Sequence, residues 1–176
     1  MLENSKHIII IGAGIAGLTA ALSLRHFGIR TSIYERSPKI ISAGAGIQLS
    51  PNANRVLSRI GVLKEISSVS IRCHGVKVFD YKSNQQLALF DYMKFKGNDL
   101  FYFCHRADLV GILYAACQKL EIPVYFNKKV EKIVNNKAIF SDGEALPAEL
   151  IIGADGLHSN VRKTIADEAK PVFTRQ

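Results

Sequence analysis

Gly12-Ala13-Gly14-Ile15-Ala16-Gly17 lies between two segments of different character. Before it runs Ile8-Ile9-Ile10-Ile11, a β-branched run of the kind found in strands buried on both faces. After it comes an Ala/Leu-rich stretch that reads as a helix over about 15–27, with Gly28 just past its end. Thr31 to Glu35 reads as a second strand, which completes a β-α-β unit. Within the turn, Gly12 can take the positive φ of a tight bend. The missing Cβ of Gly14 lets a pyrophosphate approach the backbone, and Gly17 lets the helix pack closely on the strand. Free N–H groups and the positive dipole end of the helix face the same place.

Glu35 lies 21 residues after Gly14, at the end of the second strand. A carboxylate there can accept both hydrogens of an adenosine ribose diol, and it repels a ribose 2′-phosphate. Glycine spacing, β-α-β context and the acid together point to a dinucleotide cradle. Arg36 either flanks the adenosine or is a solvated surface arginine.

Beyond this unit, residues 37–50 read as a loop containing Pro38, Gly44 and Gly46. Pro51 suits a helix start, and Asn52 to Ile60 reads as helix ended by Gly61. Ile71 to Tyr81 and Gln86 to Phe90 read as two strands joined around Ser83-Asn84, followed by a short strand from Leu100 to Cys104. Arg106 to Leu120 reads as helix, with Leu109, Leu113, Ala116 and Leu120 on one face. Strands are expected over Pro123 to Phe126, Lys129 to Val134, Ala138 to Phe140 and Leu150 to Ile152, with a turn at Ser141-Asp142-Gly143. A short helix is expected from about Asn160 to Ala166.

The chain has 176 residues, 48% of them hydrophobic, enough for one good core. Its net charge is +8, which favours anionic partners. The cations are scattered and form no basic-aromatic stripe, so nucleic acid is not an expected partner. The apolar run from Ile8 to Leu24 resolves into strand, turn and helix rather than a membrane span or signal peptide. Cys73, Cys104 and Cys117 are odd in number and widely spaced, which argues against a disulfide framework and for a cytoplasmic location. Cys73-His74 and Cys104-His105 lack chelating spacing, so no metal site is expected.

Two further motifs stand near the cradle's expected partners. His105-Arg106-Ala107-Asp108-Leu109 opens a helix with an arginine in its first turn, a conflict with the dipole that a bound anion would remove. Gly153-Ala154-Asp155-Gly156 follows an apolar strand and precedes Ser159-Asn160-Val161-Arg162. Asp155 could bond backbone N–H groups in an Asp-Gly turn, or a ribose hydroxyl.

Taken together, these motifs resemble the group A FAD-dependent aromatic monooxygenases, the family with the para-hydroxybenzoate hydroxylase fold. The stretch Gly44-Ala45-Gly46-Ile47-Gln48-Leu49-Ser50-Pro51-Asn52-Ala53 is most similar to the salicylate hydroxylase-like branch. The resemblance implies an α/β fold: a Rossmann-like FAD-binding domain (GR2-type) with a central parallel sheet, plus the first strands of a substrate-domain β-sheet. By position, the FAD domain would take 1–70 and 105–170, and the incomplete substrate domain 71–104 and 171–176. Gly12, Ala13, Gly14, Ile15, Ala16 and Gly17 would hold the pyrophosphate, and Glu35 with Arg36 the adenosine. Gly46, Ile47 and Gln48 would lie near the isoalloxazine, and Arg106 near the phosphate and ribityl chain. Val130 would meet the adenine side through its backbone, and Asp155 with Gly156 would serve FAD and the passing nicotinamide cofactor.

The family reduces FAD with NADH or NADPH, forms a flavin hydroperoxide with oxygen, and hydroxylates a small aromatic acid. Its members are much longer, and a later Gly-Asp motif and most of the substrate sheet find no match here. The expectation is therefore an N-terminal part lacking its C-terminal half, inactive alone. Its exposed incomplete face would be covered by a second polypeptide or by self-association. No catalytic residue is assigned: His74, His105 and His158 each have a turn or cap explanation. Other readings are a flavin epoxidase or drug-modifying monooxygenase, a non-catalytic nucleotide-binding module or remnant, and an NAD-dependent dehydrogenase. The dehydrogenase reading leaves Gly153 to Arg162 unexplained.

Overall fold

The structure is a computed structural model that describes residues 7–40, 44–94, 100–166 and 172–174. In chain order the first elements are β1 (Ile8–Ile11), α1 (Ile15–His26), β2 (Thr31–Tyr34), β3 (Gly46–Leu49), α2 (Pro51–Arg59) and α3 (Leu63–Ser68). Then come β4 (Ile71–Cys73), β5 (Gly75–Phe79), β6 (Gln86–Asp91), a 3₁₀ turn (Tyr92–Lys94), β7 (Phe101–His105) and α4 (Arg106–Lys119). The last are β8 (Val124–Tyr125), β9 (Val130–Val134), β10 (Lys137–Phe140), β11 (Ala145–Pro147), β12 (Leu150–Gly153) and α5 (Arg162–Ile165). They form two compact units, residues 1–42 with 110–176, and residues 43–109.

The first unit is built on a parallel sheet in the order β12-β1-β2-β8. β1 is central and fully buried, as its four isoleucines require. Ile9 and Ile11 pack with Tyr34, Val130, Ala138, Phe140 and Val161, which joins this sheet to the antiparallel sheet β11-β10-β9. On α1 the buried residues are Gly17, Leu18, Ala21 and Leu22, a stripe at i, i+1, i+4 and i+5. Burying each large side chain of this core contributes about 1.5–3 kcal/mol. α1 ends in a Schellman motif: Gly28 N donates to Arg25 O and Ile29 N to Leu24 O, with Gly28 at φ 74°. The hairpin of β9 and β10 turns on Asn135 and Asn136, both with positive φ, the two-residue type I′ geometry.

The buried face of α4 runs through Leu109, Val110, Leu113 and Cys117. Leu120, expected on that face, is exposed and lies past the helix end. Cys117 lies 3.9 Å from the carbonyl oxygen of Leu18, and burial pushes its thiol up to about 12. All three cysteines are buried free thiols.

The second unit holds an antiparallel sheet, β3-β7-β4, and a separate hairpin, β5-β6. Two expectations are corrected here, and one element is new. Gly46 to Leu49, read as loop because of its glycines, pairs with β7 as a strand. α3 occupies a stretch with no expected element and buries Ile66. The single strand expected over Ile71 to Tyr81 breaks at His74 and serves two sheets. The break allows a close approach: a Cβ on Gly75 would stand 2.4 Å from the carbonyl oxygen of Phe90. The β5-β6 hairpin carries exposed apolar side chains, with Leu87 63% and Phe90 56% accessible.

In the first unit β11 was also not expected, and α5 is shorter than the helix read over Asn160 to Ala166. Of residues 171–176, assigned above to the start of the substrate-domain sheet, Val172 to Thr174 form no strand and the others lie outside the described ones. Ile8 to Leu24 is a strand, a turn and part of a helix; among the described residues no helix is long and apolar enough to cross a membrane.

Candidate functional site

In the first unit the carboxyl ends of β1, β2 and β12 converge, the usual place for a ligand in an open parallel sheet. Gly12 N donates to Tyr34 O and Ala154 N to Ile11 O, each at 2.8 Å. Gly12 has φ 108°, and a Cβ there would stand 2.4 Å from the carbonyl oxygen of Ala154. A Cβ on Gly17 would fall 1.9 Å from the carbonyl oxygen of Gly12. These two glycines are therefore needed for the fold of the turn itself. Gly14 differs: nothing lies within 4 Å of where its Cβ would be.

Gly14 is also the N-cap of α1, with no side-chain cap and no acid in the first turn. At the helix start Ile15 is half-buried and Ala16 exposed, and the glycine cap offers the first N–H groups no side-chain acceptor. An anion held at this point needs an open backbone, uncapped helix-start donors and a positive dipole end, and the open backbone and the glycine cap supply them.

Glu35 is half-buried and turned toward this turn. Its Oε2 accepts the Ala13 N–H at 2.7 Å and its Oε1 the Ser37 N–H at 2.9 Å. A carboxylate has about four acceptor positions, so two remain for a diol. Arg36 is exposed. Asp155 accepts hydrogen bonds from its own loop. Its Oδ2 accepts from Asn160 N at 2.7 Å and Val161 N at 3.3 Å, and its Oδ1 from the Ser159 hydroxyl at 2.5 Å. Gly156 beside it has φ 81°. Val130 is buried, and its carbonyl accepts from Asn160 Nδ2 at 2.8 Å. Asn160 thus ties the Asp155 loop to the start of β9. Its motif was legible in the sequence, but nothing in it signalled this cross-link.

The second unit gathers the other expected residues. Gly46 pairs with His105 at one end of the β3-β7 ladder, and Arg106 N donates to Ala45 O at 3.2 Å. Gly46 and Gln48 are exposed, Ile47 and Arg106 half-buried. His105 caps α4, its Nδ1 accepting the Ala107 N–H at 3.3 Å. Gly44, which carries no expected role, lies against the stem of Arg106.

The family model described as FAD binding domain matches residues 5–172. This chain belongs to the FAD binding domain family. The FAD binding domain here is 33% identical over 174 residues to a 3-amino-4-hydroxybenzoate 2-monooxygenase of Streptomyces cremeus, covering 96% of this chain and 44% of that enzyme. It is 34% identical over 175 residues to 3-hydroxybenzoate 6-hydroxylase 1 of Aquipseudomonas alcaligenes, covering 94% and 44%. Among solved structures it resembles the tetrameric form of 2-methyl-3-hydroxypyridine-5-carboxylic acid oxygenase, with TM-score 0.84 and 27% identity over 93% of this chain and 43% of that one. The chain spans less than half the length of these relatives. The expected α/β fold, the FAD cofactor and the resemblance to aromatic FAD-dependent monooxygenases are borne out. The residues at the β-strand ends fit FAD's pyrophosphate and ribose, through the open backbone at Gly14 and the spare acceptor positions of Glu35.

Proposed function

We propose that this chain is the FAD-holding part of an NAD(P)H-dependent monooxygenase that hydroxylates a small aromatic acid with molecular oxygen. One observation carries the reading: the convergence of Gly12, Gly14 and Glu35 at the carboxyl edge of the parallel sheet, where a Cβ would clash at Gly12 and Gly17 but meet open space at Gly14. In this reading the backbone from Gly12 to Gly17 binds the pyrophosphate and Glu35 orients the adenosine ribose, with Arg36 at its rim. Asp155 shapes the loop through its bonds to Ser159, Asn160 and Val161, and with Gly156 serves FAD and the passing nicotinamide cofactor through its remaining acceptor position. Val130 lines the adenine side. Gly46, Ile47, Gln48 and Arg106 face the ribityl and ring end of the cofactor. FAD, when bound, supplies the electron transfer and oxygen activation; the chain binds it and orients it.

The flavin domain takes residues 1–70 and 105–170 in this reading, and 71–104 with 171–176 begins the substrate-side sheet. A cytoplasmic location fits the three reduced, buried thiols. Titrating the purified chain with FAD decides the cofactor assignment. A perturbed flavin absorption band and quenched fluorescence are expected; an unchanged flavin spectrum beside well-folded protein overturns the assignment.

A further inference from the structure

Hydrogen bonds join four segments of the first unit into a closed circuit: residues 11–13, 34–37, 125–130 and 154–160. Gly12 N donates to Tyr34 O and Ala13 N to Glu35 Oε2, which ties the glycine turn to the end of β2. Glu35 N donates to Tyr125 O and Lys128 N to Glu35 O, which ties that end to the stretch leading into β9. Ala154 N donates to Ile11 O, which ties the Asp155 loop back to the glycine turn. One join is left, between 125–130 and 154–160. Among the described residues a single hydrogen bond makes it, from Asn160 Nδ2 to Val130 O at 2.8 Å.

Asn160 is half-buried and engaged at every polar group named so far or next to it. Its N–H donates to Asp155 Oδ2 at 2.7 Å, and its Oδ1 accepts from Lys163 Nζ at 3.0 Å. With the amide oxygen used on one side, the NH2 group is turned to Val130 on the other. Val130 and Val161 also share the core, so apolar packing alone would keep the two segments together. Packing is non-directional, whereas a hydrogen bond to a carbonyl sets the plane of that peptide. We propose that Asn160 is a positioning residue for the adenosine half of FAD: by holding the Val130 carbonyl it fixes the backbone assigned to the adenine side and keeps the Asp155 loop in register with Glu35. This rests on the reading of the strand ends as the FAD seat.

Three variants of the full chain test this, read by quenching of FAD fluorescence, by displacement of FAD with ADP, and by the melting temperature of the FAD-free chain. Asn160→Ala is expected to weaken FAD and ADP alike by roughly three- to tenfold, as for one lost hydrogen bond. Lys163→Met removes the other contact of the same amide and should leave both affinities within about twofold of the parent. Phe140→Leu opens the core beside Val130 and should lower the melting temperature while both affinities stay within about twofold. FAD weakened by Asn160→Ala with ADP unchanged overturns the inference, since the loss then lies outside the adenosine half. Equal weakening by Lys163→Met or by Phe140→Leu also overturns it, because the effect then belongs to the lysine contact or to general loosening of the core. A parent chain that binds FAD no better than Asn160→Ala overturns the inference alone. A parent chain that binds no FAD overturns the reading of the seat, and the inference with it.

Discussion

A methyl group added at Gly14 and one added at Gly17 meet opposite fates, although the two glycines share one motif. At Gly17 it would run into the backbone of Gly12. Gly17→Ala is expected to destabilise the chain by roughly 1–3 kcal/mol, seen as a lower urea midpoint, despite alanine's better helix propensity. At Gly14 the methyl would enter open space. Gly14→Ala should leave the unfolding free energy from urea titration within about 0.5 kcal/mol of the parent while cutting FAD affinity at least tenfold, as the proposed pyrophosphate seat requires. Loss of stability at both positions would show that the open space belongs to the fold. Glu35 makes a third case. It binds Ala13 and Ser37 amides, so Glu35→Arg should weaken FAD binding more than it weakens folding; equal losses would leave it only its hydrogen bonds inside the loop.

Among the elements, helix ends give the plainest reading. α1 and α2 close with Gly28 and Gly61 at positive φ, and both positions were legible as glycines after apolar runs. α4 closes in the same way, Glu121 N bonding Gln118 O and Ile122 N bonding Cys117 O, yet its left-handed residue is Glu121 at φ 55°. A side chain in that conformation costs about 1–2 kcal/mol. Glu121→Gly is therefore expected to raise the melting temperature by about 2–4 °C, and a drop in scanning calorimetry would contradict this account. The turn after β10 depends on charge. Lys128 bonds Asp142 and Glu144, and its hydrogen bond to Asp142 holds that carboxyl below the ordinary carboxylate range. The pair's stabilisation should persist above the ordinary aspartate pKa and fade as pH falls through the lowered one, measurable as a Lys128→Met difference that vanishes in acid. β1, α1 and β2 were readable because their periodicity and glycine spacing are local properties. β3 was not, since it is made a strand by pairing with β7, more than fifty residues along the chain. The His74 break was equally unreadable, for it answers to a carbonyl of Phe90 far along the chain.

For the molecule as a whole, the cradle is present while most of the length seen in its relatives is not. Purified residues 1–176 should therefore bind FAD without supporting NAD(P)H-driven hydroxylation of aromatic acids; turnover by this chain alone would show the further length to be dispensable. The isolated β5-β6 hairpin, with Leu87, Leu89 and Phe90 exposed, is expected to drive concentration-dependent self-association. Leu87→Lys with Leu89→Lys should abolish that in sedimentation experiments without altering FAD affinity. The order β12-β1-β2-β8 also governs timing. About 140 residues separate the end of β1 from its partner β12. At translation rates of about 5–20 residues per second, a nascent β1 waits roughly 7–28 s on the ribosome with one edge unpaired. The proposed nucleotide seat, whose wall includes Ala154, is thus finished only once β12 has been made, and until then four successive isoleucines keep one backbone edge open.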